Sequence, residues 1–196
     1  MKYYLLLLTF ICQLSGAAEI NWAQSYLLES QGKYPQAIQA IKAGLTSNEN
    51  TKEYTYLRMA WLNYLQKKYN QSINYYQQAL KLNSQSIDAH LGLSLVMSAQ
   101  YRWKEASIQA KKVLKEAPSH YAANIRLMTI RYAEKKWFSL AQQALKLTKQ
   151  YPTQSTPWLY LARAQAWQMK KTQAKESYRM VLRYLPRNIE ALGYLK

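Results

Sequence analysis

Residues 87–120 read IDAHLGLSLVMSAQYRWKEASIQAKKVLKEAPSH. Apolar positions recur every three or four residues through two runs of about fourteen, a short turn separates the runs, and Pro118 closes the second. Each run predicts an amphipathic helix, and together they predict a helix-turn-helix with one shared apolar seam. The plan returns after 34 residues at Tyr121 and again at Ser155, and it extends backwards over residues 53–86 and 18–51. The predicted units are thus about 18–51, 53–86, 87–120, 121–154 and 155–188, with a short helix over 189–196. Runs of β-branched residues are absent and the connections are short. The expected fold class is all-α: a solenoid of about five helix pairs, whose core is one seam that only the stacking of neighbouring units buries.

The turns and the helix-facing positions repeat with the units. The first unit turns at Gly32-Lys33-Tyr34, and Ala37, Ile38 and Ile41 then share the inner face of a second helix expected to end near Gly44 and Leu45. Glycine suits the end of the first helix because it takes a left-handed conformation without a Cβ penalty. Small residues at Ala60, Ser94 and Ala162 fit a place where paired helix axes lie roughly 8–10 Å apart. The third unit has Leu93, Ser94, Trp103, Ala106 and Pro118 at its key positions, and the fifth has Trp158, Leu161, Ala162, Ala174, Tyr178 and Pro186. On these residues the chain resembles the tetratricopeptide repeat family, which implies a right-handed α-solenoid. The fourth unit departs from that pattern, because Met128 and Leu140 stand where the family has small side chains. Its helices are expected to splay, or to slip by one residue and bring Ala141 into the small position.

Composition bears on the setting more than on the fold. The chain has five glycines and five prolines, all scattered, so no linker divides it. Its start, one cation (Lys2), an apolar run from Tyr3 to Cys12 and the small residues Ser15, Gly16, Ala17 and Ala18, has the order of a secretory signal peptide over residues 1–18. Cleavage fits after Ala17 or Ala18. The apolar run is too short to span a bilayer of about 30 Å as a helix. Removing residues 1–18 takes away the only cysteine and leaves a net charge of about +16, against +17 for the whole chain. Such a surface favours anionic partners. Export argues against nucleic acid as the partner and places the protein in the periplasm or at the outer membrane.

Little in the sequence supports catalysis or a bound cofactor. His90 and His120 are the only histidines, with no cysteine or carboxylate cluster to complete a metal site. His90 reads as a packed core histidine. Gly-rich phosphate loops, nucleophile motifs and acid pairs are lacking as well. The resemblance implies binding instead, since the first helices of tetratricopeptide arrays line a concave groove. Mapped onto this chain, the groove positions hold Trp22, Tyr26, Tyr54, Arg58, Trp61, Tyr64, Arg126, Tyr132, Tyr160, Arg163 and Trp167, with Glu19, Glu29 and Asp88 as the acids. Aromatics interleaved with arginines suit ring stacking and bidentate anion recognition. The function implied is a non-catalytic interaction scaffold of the bacterial cell envelope that holds a segment of another envelope protein. The alternative is a module that grips an anionic polysaccharide or cell-wall glycan, for example in polysaccharide export.

Two further features lie outside the groove. The second residue of every turn is basic: Lys33, Lys68, Arg102, Lys136 and Lys170. A local reading makes each a cation at a helix C-terminus, worth about 0.3–1 kcal/mol against the macrodipole. A collective reading sets them along one edge, with neighbours one to two Debye lengths apart and a Debye length of about 8 Å at physiological salt. Their summed field then favours an anionic surface. At the other end Ile189, Leu192 and Leu195 form an apolar stripe, which predicts weak self-association or partner docking there.

Overall fold

The computed structural model describes residues 20–196. Among them the chain forms eleven α-helices and one short 3-10 helix. The helices are α1 (Trp22–Ser30), α2 (Tyr34–Gln39), α3 (Glu49–Leu65), α4 (Tyr69–Leu82), α5 (Ile87–Ala99), α6 (Trp103–Glu116), α7 (Tyr121–Ala133), α8 (Trp137–Gln150), α9 (Ser155–Trp167), α10 (Lys171–Tyr184) and α11 (Ile189–Leu195). They pair as α1–α2 through α9–α10 and stack in chain order, an α-solenoid. The expected leader, with Cys12 and both cleavage sites, lies outside the described residues, as does Glu19.

Each first helix ends in the same closure. In the second turn the Lys68 N–H donates to Asn63 O at 2.9 Å and the Lys67 N–H to Tyr64 O at 2.8 Å, the bond pair of a Schellman motif. That closure requires a left-handed residue, and φ is 72° at Gly32, 59° at Lys67, 60° at Tyr101, 57° at Lys135 and 60° at Met169. Only the first turn uses glycine. Left-handed backbone costs any other residue about 1–2 kcal/mol, and Lys67, Tyr101, Lys135 and Met169 are all exposed, so burial returns little of it. Lys135→Gly is therefore expected to stabilise the fold by about 0.5–1 kcal/mol, read as a higher thermal midpoint. A lower midpoint would mean that the lysine makes contacts the fold needs.

The residue after each left-handed position is the N-cap of a second helix. Lys33, Lys68, Arg102, Lys136 and Lys170 cap α2, α4, α6, α8 and α10, and none makes a side-chain cap hydrogen bond. This corrects the local reading of the basic turns. Each cation lies between the negative end of one helix and the positive end of the next, where the two dipoles offset each other. Four of the other six helices have side-chain caps, through Asn21, Asn48, His120 and Asn188 at α1, α3, α7 and α11, while Ser86 and Gln154 before α5 and α9 make no such bond.

Within units, one pair of facing positions sets how closely the helices approach. In the second unit Ser72 Oγ donates to Ala60 O at 2.8 Å, and in the third Ser94 Oγ donates to Ala106 O at 2.8 Å, so the serine changes helix and the same bond forms in reverse. The fifth unit uses Ala162 and Ala174, both fully buried. In the fourth, Met128 and Leu140 fill these positions and are also fully buried, while Ala141 is only partly so. No slip occurs. The pair splays instead, and α8 packs more of its length against α9 than against α7. A polar network occupies the widened cleft: Arg131 Nη1 donates to Ser139 O at 3.0 Å and to Gln143 Oε1 at 2.7 Å, and Gln143 Nε2 donates to Asn124 Oδ1 at 2.9 Å.

A second repeat-locked contact fixes three of the four loops between units. Asn124 Nδ2 donates to Pro118 O at 3.1 Å, Trp158 Nε1 donates to Pro152 O at 2.9 Å, and His90 Nε2 lies 3.1 Å from Ser84 O. Each reaches the carbonyl six residues before it. His90 is buried, with Nδ1 2.9 Å from the Gln109 side-chain amide, so both ring nitrogens have partners. The first unit is the irregular one. Its second helix stops at Gln39 rather than near Gly44, and residues Lys42–Thr46 tighten into the 3-10 helix. Gly44 there presses on α3, where an added Cβ would come within 2.1 Å of Thr55 Oγ1.

Candidate partner-binding groove

Near the N-terminal end of the solenoid, α1 and α3 join through aromatics and one ion pair. The Trp22 and Tyr54 rings meet edge-on at 4.8 Å, and the Tyr26 and Tyr54 hydroxyls are 2.5 Å apart. Arg58 is buried. Its guanidinium pairs with Glu29, donates to Ser25 O at 3.2 Å and stacks 3.9 Å from the Tyr26 ring centre. Glu29 also accepts from Trp61 Nε1 at 2.8 Å, and Trp61 stacks on Tyr64 at 5.5 Å. Tyr26 and Tyr54 nevertheless keep 49% and 43% of their surface exposed, so the upper wall stays open to a ligand.

The C-terminal half has a matching cluster. Tyr132 meets Tyr160 at 6.1 Å, and the Arg163 guanidinium lies 5.1 Å and 5.6 Å from their ring centres. Arg163 is held by Glu190 of α11, through Nε at 2.9 Å and Nη2 at 2.6 Å. Arg163 keeps the Glu190 carboxyl below the usual carboxylate range. Tyr178 adds a hydrogen bond to Glu190 at 2.9 Å. The terminal helix thus closes the stack: Ala191 is buried and Tyr194 packs on Tyr178 at 4.5 Å. Ile189 and Leu192 point outward, while Leu195 joins the core.

Arg126 lies between the two clusters. It makes no ion pair among the described residues, and its buried Nε has no hydrogen-bond partner. Burial lowers its pKa from the usual guanidinium value, which marks a cation that lacks a compensating charge. It lines a cavity of about 430 Å³ together with Leu57, Leu91 and Leu95, Tyr26 and Tyr54, and the carboxylates Glu29 and Asp88.

Residues 62–100 match the family model of the TPR repeat. The solved structure of YrrB, described as a TPR protein with an unusual peptide-binding site, superposes with a TM-score of 0.69 at 14% identity, over 91% of this chain and 92% of that one. A tetratricopeptide repeat protein from Parabacteroides merdae gives 0.76 at 14% identity, over 88% and 68%. MamA from Desulfovibrio magneticus gives 0.74 at 15%, over 89% and 98%. The chain thus carries a TPR repeat over residues 62–100 and has the fold of these tetratricopeptide proteins. A search of curated proteins finds no match in sequence.

In tetratricopeptide terms the structure divides the groove residues by their roles. Arg58 and Arg163 are engaged in holding one unit to the next, whereas Arg126 has no ion-pair partner among the described residues. Trp167 sits at the end of α9, 60% exposed and stacked at 5.1 Å on Trp137 of the preceding turn, so it belongs to the turn edge more than to the groove floor. Sequence reasoning missed Tyr76, which comes from a second helix and reaches the groove across Gly92. The signal was present as a glycine in the middle of α5, where helix propensity argues against one. Among the described residues no group of three metal-ligating side chains occurs, and no helix is long and apolar enough to cross a membrane.

Proposed function

We infer that the protein is a non-catalytic scaffold that holds an extended segment of another protein in its groove and works in the bacterial envelope. The observation that carries this reading is Arg126, a half-buried cation with no ion-pair partner among the described residues, in a cavity it shares with Leu57, Leu91, Leu95, Tyr26 and Tyr54. An acidic side chain on a partner segment supplies the missing charge, and its apolar neighbours cover Leu57, Leu91 and Leu95. A peptide-binding site is also named for the structurally similar YrrB. The strongly basic surface and the signal-like start support partners in the envelope.

The test uses residues 19–196 to cross-link and purify partners from envelope extracts, followed by mapping of the bound segment. One defined segment at one stoichiometry is expected. Arg126→Gln should lower affinity for the synthetic segment by about 1.5–3 kcal/mol, the range for a charge-assisted hydrogen bond, with no loss of helix. An anionic glycan as ligand would instead bind with affinity rising with chain length, which would overturn the reading.

A further inference from the structure

The two edges of the solenoid are built on different rules. At the edge where units join, polar side chains cap helices and bind loop carbonyls. At the turn edge the chain accepts left-handed lysine, tyrosine and methionine in place of glycine, and puts uncapped cations at every N-cap. Apart from the Arg102 and Lys136 ion pairs, the side chains concerned are turned largely to solvent. Tyr101 is 78% exposed, Met169 73% and Phe138, one residue into α8, 67%. Local strain that the fold does not use points to a role outside it.

These turns form one surface. Gln100 Nε2 donates to Asn70 Oδ1 of the preceding turn at 3.3 Å, Gln168 Nε2 donates to Trp137 O at 3.1 Å, and the Trp137 and Trp167 rings lie parallel within 1°. Its charge is one-sided. Arg102 and Lys136 pair with Glu105 and Glu134, while Lys67, Lys68, Lys135, Lys170 and Lys171 have no ion-pair partner among the described residues.

We propose that the turn edge docks on an anionic lipid bilayer, the lysines reaching headgroup phosphates while Tyr101, Phe138, Trp167 and Met169 enter the interfacial layer. Charge alone would suit any polyanion. The exposed apolar side chains decide between them, because a soluble acidic polymer leaves Phe138 and Met169 in water, whereas a bilayer covers them and holds tyrosine and tryptophan at the headgroup level. Attachment is peripheral and does not depend on what the groove holds.

A chain starting at Glu19 carries every described helix and core cluster. It is sedimented with phosphatidylcholine vesicles, with and without phosphatidylglycerol, across a salt series. Binding is expected only with phosphatidylglycerol and should weaken as salt rises. Changing Lys67, Lys68, Lys135, Lys136, Lys170 and Lys171 to glutamine should cost at least about a hundredfold, each surface cation contributing a few-fold. Tyr101→Gly with Met169→Gly should lower vesicle affinity about tenfold while the thermal midpoint holds or rises. Brominated lipid should quench Trp emission less in Trp167→Phe than in the natural chain. Wild type that ignores phosphatidylglycerol at low salt overturns the proposal. So does a double glycine variant that binds vesicles as wild type does, for the edge is then a site for soluble polyanions.

Discussion

Arg58→Ala is expected to destabilise the fold by about 3–5 kcal/mol, the range for removing one member of a buried ion pair. The side chains of Arg58 and Glu29 are 5% and 22% exposed, so the carboxylate left behind is poorly solvated. The same change also frees Ser25 O and removes the stack on Tyr26. Urea unfolding measures it: the midpoint should fall well below that of wild type. Changing both partners, Glu29→Leu with Arg58→Met, should recover most of the loss, because a hydrophobic pair of similar volume avoids desolvation. A single-variant loss under about 1 kcal/mol would place the pair with solvated surface bridges instead. With the expected loss, Arg58 acts on any ligand through the wall it supports and does not grip the ligand itself.

Gly92→Ala should be the next most damaging change. A Cβ there would lie 2.1 Å from Cζ of Tyr76, whose ring is 5% exposed and packed in the largest core cluster. Overpacking of this kind costs about 1–3 kcal/mol and at times more, which outweighs the gain of nearly 1 kcal/mol in helix propensity from glycine to alanine. Tyr76→Leu in the same background should restore part of the stability by vacating the contact. If Gly92→Ala alone raises the midpoint, α5 can shift away from α4 and the floor of the groove is softer than this packing implies.

The helix pairs were legible because a period of 34 residues repeats both the apolar seam and the turn chemistry. The small facing positions at Ala60, Ser94 and Ala162 followed from the same repeat read against the pattern of the family it resembles. The fourth unit was half legible: Met128 and Leu140 announced a disturbance, but whether bulk produces slip or splay depends on neighbouring packing. Here the Arg131–Gln143–Asn124 network makes the splayed form tolerable. The arginines were legible as groove residues but not in their roles. Glu29 and Glu190 each lie nearly one repeat from the arginine they bind, and a search for carboxylates at that spacing would have separated Arg58 and Arg163 from Arg126. The basic turns were visible from the outset, yet their place at helix N-caps needed the Schellman closure, which side-chain pattern does not encode once glycine is absent.

On the proposed function, a partner segment brings a carboxylate to Arg126. Selection of displayed random peptides on immobilised residues 19–196 tests it most directly, run in parallel on Arg126→Gln. Wild type should enrich extended peptides that share one acidic residue flanked by apolar ones, and the variant should lose that acidic preference. Enrichment that is the same on both proteins, or none on wild type, would contradict the account.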